Sequence, residues 1–366
     1  MTTSFRERIF KLISLMKSSG TSGVIVSPGT NLFYLTGLSP SATLERLFVL
    51  IISSDGEVKL LAPKLYENEL KDAWMDVIIW SDSQNPYDIL VSLISKCFRS
   101  GGKIAIDDNM QVSHLLRIYD FLRKYDLRPL SSLISEMRII KDEEEISIMK
   151  EAARITDKTL ERIISEDLRG KREREVAKLI QNEIIDQGAD TSSFDAIVAS
   201  GPNGANPHHT PTDRRISEGD ILIVDFGARY KGYCSDITRT FSIGKPSEKA
   251  FEVYEIVREA QESAFQAVKE GVKAGEIDAV ARNLIASRGY GEHFTHRTGH
   301  GLGLDIHEEP YIAPNNEVEL KNGMVFTIEP GVYLEGEFGV RIEDDVAVIS
   351  GKGERLTAAA RELILL

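Results

Sequence analysis

Two segments in the last half of the chain constrain its fold more than any other feature. In the first, the apolar run Ile221-Leu222-Ile223-Val224 ends on a carboxylate, Asp225. After Ala228 to Gly232 the chain returns as Tyr233-Cys234-Ser235-Asp236-Ile237-Thr238. Such a run suits a strand covered on both faces, where an unpaired charge at its end is destabilising. Folding back about Tyr230-Lys231 predicts Asp225 directly opposite Asp236, with Cβ atoms ~5 Å apart. Two like charges that close repel unless a cation neutralises them. The construction recurs. Val325-Phe326-Thr327-Ile328 ends on Glu329, Glu335-Gly336-Glu337 is turn-like, and Val340-Arg341-Ile342-Glu343 returns. Folding about Gly336 predicts Glu329 opposite Glu343. Two such pairs can hold two metal ions ~3.5–4 Å apart.

The histidines fall around these segments. Of seven, six lie in two clusters: His208-His209, and His293, His296, His300 and His307 within Glu292 to Pro310. Glycines on both sides of His300 allow its backbone to approach a ligand closely. A histidine of this second cluster, ahead of the second carboxylate pair, is a better ligand candidate than a lone histidine among glycines. His114 stands alone in a helical pattern and reads as structural.

The rest of the chain supplies the frame. At 366 residues it is too long for one ordinary domain. Apolar spacing predicts helices from Phe5 to Ser19, Tyr66 to Trp74, Pro86 to Phe98 and Val112 to Tyr125. Short apolar runs predict strands at Val24–Val26, Leu47–Ile52 and Lys103–Ile106, with a tight turn at Asp55-Gly56. Residues 1–130 therefore read as a small α/β domain, Arg128 to Ser132 as a linker, and residues 131–366 as a second mixed α and β domain. That second domain opens on an amphipathic helix whose start, Asp142 with Glu145 three residues on, is a capping arrangement. Further helices are expected over Arg174–Gln187 and Ser247–Lys269.

Composition excludes several partners. With 44 basic and 57 acidic residues the formal charge is −13, so nothing attracts the chain to a phosphate backbone and nucleic acid is not an expected partner. No apolar run approaches the ~20 residues of a membrane span, and the first residues lack a signal-peptide core. Two distant cysteines, Cys97 and Cys234, give no disulfide framework, which suits a reducing cytoplasmic setting.

The ordered set Asp225, Asp236, His300, Glu329, Glu343 resembles the metal-ligand set of the pita-bread metallopeptidases, a family of methionine aminopeptidases, proline aminopeptidases and Xaa-Pro dipeptidases (prolidases). The strings His296 to Pro310, Ile328-Glu329-Pro330-Gly331 and Val340-Arg341-Ile342-Glu343-Asp344 resemble its proline-specific branch. Asn31-Leu32-Phe33-Tyr34-Leu35-Thr36-Gly37 resembles, more weakly, that branch's creatinase-like N-terminal domain. The resemblance implies an N-terminal α/β domain followed by a pita-bread catalytic domain of α+β type. It implies five metal ligands: Asp225 on one metal by both oxygens, Asp236 and Glu343 spanning two, His300 and Glu329 completing the other. It places His208 and His307 beside the substrate and Arg341 behind the ligand carboxylates. The implied reaction is hydrolysis of an Xaa-Pro bond by a hydroxide held between the metals, with Glu329 shuttling the proton. An oxygen-rich set with one imidazole favours Mn²⁺ or Co²⁺, then Zn²⁺ or Fe²⁺. Proline-containing dipeptides are the expected substrates, longer peptides the alternative, and a homodimer the expected assembly. A methionine aminopeptidase would lack the N-terminal domain. A metal-free binding relative, or a metal-free hydrolase of creatine, would have no use for all five ligands.

Overall fold

A computed structural model describes residues 2–40 and 45–366. The chain divides into two compact units, Met1–Arg138 and Ile139–Leu366.

In the first unit, helix α1 (Thr2–Ser19) buries Ile9, Leu12, Ile13 and Met16, the stripe its spacing predicts. The strands are β1 (Thr21–Val26), β2 (Val49–Ser53), β3 (Val58–Pro63), β4 (Asp76–Trp80), β5 (Lys103–Ile106) and β6 (Asp126–Pro129), in one sheet of order β4-β3-β2-β1-β5-β6. The Asp55-Gly56 turn joins β2 to β3, with Ile52 opposite Val58. Helices α2 (Thr30–Thr36), α3 (Pro86–Cys97), α4 (Val112–Leu122) and α5 (Ser131–Arg138) complete it. Two expectations are corrected. Tyr66 to Trp74 is no regular helix. Only Tyr66 and Leu70 anchor it in the core, and the backbone closes as successive turns (Glu67 N–H to Lys64 O, Leu70 to Tyr66, Ala73 to Leu70). Arg128 to Ser132 is no free linker: Arg128 and Pro129 finish β6, and Ser131 begins α5.

In the second unit, α6 (Glu143–Ile164) starts with both halves of the capping box, the Glu145 N–H donating to Asp142 and the Asp142 N–H to Glu145. With α7 (Glu173–Asp186) it covers one sheet. That sheet has the order β20-β12-β9-β8, counting β7 (Thr191–Ser192), β8 (Ile197–Ser200), β9 (Ile221–Phe226), β10 (Ala228–Tyr230), β11 (Tyr233–Cys234) and β12 (Ile237–Ser242) in chain order. Leu222, Val224, Phe226, Ile237 and Phe241 pack on the helices. Alternation along a strand therefore turns Asp225, Asp236 and Thr238 to the opposite face. The second half repeats the scheme. Helices α8 (Glu248–Gln266) and α9 (Ala274–Ser287) cover a sheet of order β14-β13-β15-β18-β19. Its strands are β13 (Gly299–Gly301), β14 (Glu308–Ile312), β15 (Val325–Ile328), β18 (Asp344–Ile349) and β19 (Lys352–Arg355). The hairpin β16 (Gly331–Leu334) and β17 (Phe338–Arg341) interrupts it, and β20 (Ile364–Leu365) closes the first sheet. Phe326, Ile328, Val346 and Val348 face the helices, so Glu329 and Glu343 fall on the other face.

The long connection from β8 to β9 is tied down by Glu173, the first residue of α7. Its fully buried carboxylate accepts from Ser200, Asn203, His209 and Thr212. Burial alone would push its pKa up. The hydrogen bonds from Thr212, His209 and Ser200 outweigh burial and hold it at about 2, against an ordinary 4.5. A depressed carboxyl stabilises the fold above its unfolded pKa, and that stabilisation is lost as pH falls from 4.5 towards 2. Wild type should therefore lose thermal stability over this range more steeply than Glu173→Gln, which cannot titrate. Parallel midpoint-against-pH curves would show that the network carries no such charge.

Candidate metal centre and substrate cavity

The first carboxylate hairpin is built as predicted but in a different register. Asp225 pairs with Thr238, not Asp236. The turn lies at Lys231-Gly232, both with positive φ (48° and 85°), between paired Tyr230 and Tyr233. Such a two-residue turn matches strand twist, and Gly232 is the residue that accepts it without strain. The two-residue shift preserves the face, so Asp225 and Asp236 are diagonal neighbours there. In the second hairpin Gly331 pairs with Arg341 and Ile328 with Asp344. That is the register that sets Glu329 across from Glu343, with the turn at Gly336 as expected.

His300 comes from β13. A Cβ at Gly299 would meet the Thr327 carbonyl oxygen at 1.9 Å, and one at Gly301 the Glu309 carbonyl oxygen at 2.3 Å. The flanking glycines thus admit neighbouring strands rather than a ligand, and this close packing fixes the imidazole. The His300 Nδ1–H donates to the Gly301 carbonyl (3.2 Å). This leaves Nε2 facing Glu329 Oε1 (3.4 Å) and Asp236 Oδ2 (3.7 Å). The candidate ligand atoms of Asp236, His300 and Glu343 all lie within 4.8 Å of one another.

All eight predicted site residues line one cavity of about 410 Å³, together with Phe194, Ile197, Pro207, His296, Arg297 and Ile306. Arg341 donates to one oxygen of Asp225 (Nη2 to Oδ2, 2.5 Å), through Nε to Thr238 Oγ1 (3.1 Å) and through Nη1 to the Tyr333 hydroxyl (2.8 Å). Thr238 in turn donates to Glu343 Oε2 (2.6 Å). His208 and His307 sit on loops at the exposed side, the His307 ring 4.3 Å from that of His300. The neighbour of His208, His209, is not in the cavity lining; it bonds Glu173.

Electrostatics identify what such a site requires. Burial, then Glu343 and Asp225, push the Asp236 carboxyl well up; burial, then Glu329 and Asp225, do the same to Glu343. Burial raises Glu329 to about 7 despite Arg341. Burial, then His307, lowers His300 to about 3, so its Nε2 is an open lone pair at neutral pH. Four carboxyl groups face two guanidiniums, Arg297 and Arg341, so the lining offers counter-charges for only two of them. Among the described residues, Asp225 Oδ1, Asp236 Oδ1 and Glu343 Oε1 are buried with no hydrogen-bond donor. Orphaned carboxylate oxygens beside a neutral imidazole are the donor set of hard or borderline divalent cations, so these residues fit a metal centre.

Sequence reasoning passed over Thr238, Tyr333 and His296. Thr238 shares the face of Asp236 two residues away, a signal available in the alternation. Tyr333 bridges Arg341 and His296 Nε2 (2.8 Å), a contact no local pattern announces.

The sequence pattern of metallopeptidase family M24 matches residues 147–350, and that of the creatinase/prolidase N-terminal domain matches residues 8–140. An Xaa-Pro dipeptidase of Pyrococcus furiosus is 38% identical over 360 residues, 98% of this chain and 100% of that one. A prolidase structure from Thermococcus sibiricus has a TM-score of 0.97 at 55% identity, covering 99% of both chains. An X-Pro aminopeptidase structure from Thermotoga maritima has 0.82 at 33%, covering 94% of this chain and 97% of that one. Together with the two-sheet catalytic unit and its cation-demanding carboxylates, these matches place the chain in metallopeptidase family M24, as a creatinase/prolidase N-terminal domain followed by a pita-bread catalytic domain.

Proposed function

We propose that this protein is a dinuclear Xaa-Pro dipeptidase. The observation that carries the reading is the buried group Asp225, Asp236, His300, Glu329 and Glu343, with its orphaned oxygens, at the floor of a cavity whose walls include Phe194, Ile197, Pro207 and Ile306. Asp225, Asp236, His300, Glu329 and Glu343 would hold the metals, with Mn²⁺ or Co²⁺ preferred over Zn²⁺ or Fe²⁺ for a carboxylate-rich set. When bound, two divalent ions supply an activated water and polarise the scissile carbonyl. Glu329 takes the proton of the attacking water and passes it to the departing proline nitrogen. His208 and His307 donate to the carbonyl oxygen as its charge develops. Arg341 holds Asp225 and, through Thr238, Glu343 in place. The apolar walls receive the proline ring.

Three measurements test this. Protein stripped of metal and reloaded with Mn²⁺ or Co²⁺ should hydrolyse Met-Pro and leave Met-Pro-Gly intact. Cleavage of the tripeptide would make it an aminopeptidase, and activity on neither substrate would end the peptidase reading. Glu329→Gln should keep its circular dichroism spectrum and lose on the order of 10²-fold or more in kcat; wild-type turnover would remove the proton-shuttle role. The same reading includes a homodimer in the cytosol. The latter is supported by two free, buried cysteines. Sedimentation at micromolar concentration should give the dimer, and a fully active monomer, or recovery of the native protein from a secreted fraction, would count against it.

A further inference from the structure

His208 and His209 adjoin in sequence but face different surroundings. His208 is exposed and lines the cavity. His209 turns to Glu173, its Nε2 2.8 Å from Oε2. Every donor to that carboxylate comes from the end of β8 or from the connection that follows it. Oε1 accepts from the Ser200 N–H (2.8 Å), the Ser200 hydroxyl (2.7 Å) and Asn203 Nδ2 (3.0 Å). Oε2 accepts from the Thr212 N–H (3.0 Å), the Thr212 hydroxyl (2.6 Å) and His209. Arg214 braces the far side, donating to Ser200 Oγ (2.7 Å) and by two nitrogens to Asp220 (2.6 and 2.8 Å). One fully buried carboxylate on a helix thus gathers the start of the connection that carries His208 and the residues just past His208. On the other side of His208, the Pro207 carbonyl accepts from Arg341 (3.3 Å). The backbone of His208 is held between these two attachments.

We propose that Glu173 is a positioning residue for the reaction: acting through His209, it sets where the His208 imidazole stands over the scissile carbonyl. This rests on the reading that His208 donates to that carbonyl. A displacement of ~1 Å at such a group is enough to cost on the order of a hundredfold in rate. Glu173→Gln puts an amide donor among donors and so loosens the loop.

A double-mutant cycle with Met-Pro tests it: wild type, His208→Ala, Glu173→Gln and the pair, all Mn²⁺-loaded and assayed well below their thermal midpoints. His208→Ala is expected to lower kcat on the order of a hundredfold. Glu173→Gln should lower kcat about tenfold or more, with KM and calorimetric Mn²⁺ affinity unchanged. In the His208→Ala background, Glu173→Gln should change kcat less than about twofold, because its effect passes through the missing side chain. Equal losses from Glu173→Gln in both backgrounds would overturn the proposal and leave His208 in its role. An unchanged kcat for His208→Ala would overturn the role of His208 and the proposal with it, while Met-Pro cleavage by wild type keeps the peptidase reading separate. His209→Ala, which removes one donor and leaves Glu173 buried among the rest, serves if Glu173→Gln does not fold. It should show the same dependence on His208, and equal losses in both backgrounds would again overturn the proposal.

Discussion

Uncompensated negative charge governs the catalytic unit. Asp225, Asp236 and Glu343 are each less than one-tenth exposed, and Glu329 lines the same cavity. Desolvating a carboxylate without a partner costs several kcal/mol even after relaxation. Arg341 meets part of this demand by bonding Asp225, and Thr238 donates to Glu343, yet three oxygens are left without donors. The rest of the unit follows from keeping these groups together despite their repulsion. Apolar strand faces sit against α6 and α7 on one side and α8 and α9 on the other, and the burial of those faces holds the carboxylate-bearing faces towards each other.

Holding them also takes polar bracing behind the site. The Arg239 guanidinium, almost fully buried, donates to the carbonyls of Thr238 and Glu343 and to the Asp344 carboxylate. It thereby ties β12, which follows Asp236, to the start of β18, which follows Glu343. Asp344 is shared by Gln261, Thr357 and Arg355. Asp345 reaches back across the same seam to accept from the Asp236 N–H and the Ser235 hydroxyl. A buried charge network of this kind is costly if partly satisfied. Here the carboxylates behind the centre are well supplied with donors, whereas those facing the cavity are not. The contrast separates groups that hold the fold from groups available to a cation.

The sequence carried the strand-end carboxylates openly, because a charge closing an apolar run is visible without knowing what it faces. Register was the harder part. Tyr230-Lys231 and Lys231-Gly232 differ by one residue as turn centres, and that difference moves the partner of Asp225 from Asp236 to Thr238. The error was harmless to the site because a shift of two keeps the strand face. In the second hairpin the turn lies at Gly336, where the sequence places it, with Leu334 opposite Phe338. The glycines beside His300 were legible as a close approach but not as an approach of strands. Glu173 was illegible for a different reason: at the start of a helix it reads as an ordinary first-turn acid, and its partners lie 27 to 39 residues away. Tyr66 to Trp74 failed because two buried anchors do not make a helical stripe.

The site divides its work between two kinds of backbone. The candidate ligands stand at strand ends or, like His300, within a strand, packed where a small shift would change charge-to-charge distances. His208 and His307 stand on loops at the exposed wall. Coulomb repulsion among four carboxylates rises steeply as they approach, so their spacing must be set by stiff elements with dense cores behind them. A hydrogen bond to a developing oxyanion needs one donor at one point, and a loop suffices if something pins it. Glu173 supplies that pin from the helix layer without adding a charge to the cavity. Wall and floor share one tie, Arg341, which bonds both Asp225 and the Pro207 carbonyl beside His208, while the loop's other attachments run to Glu173, away from the charged floor.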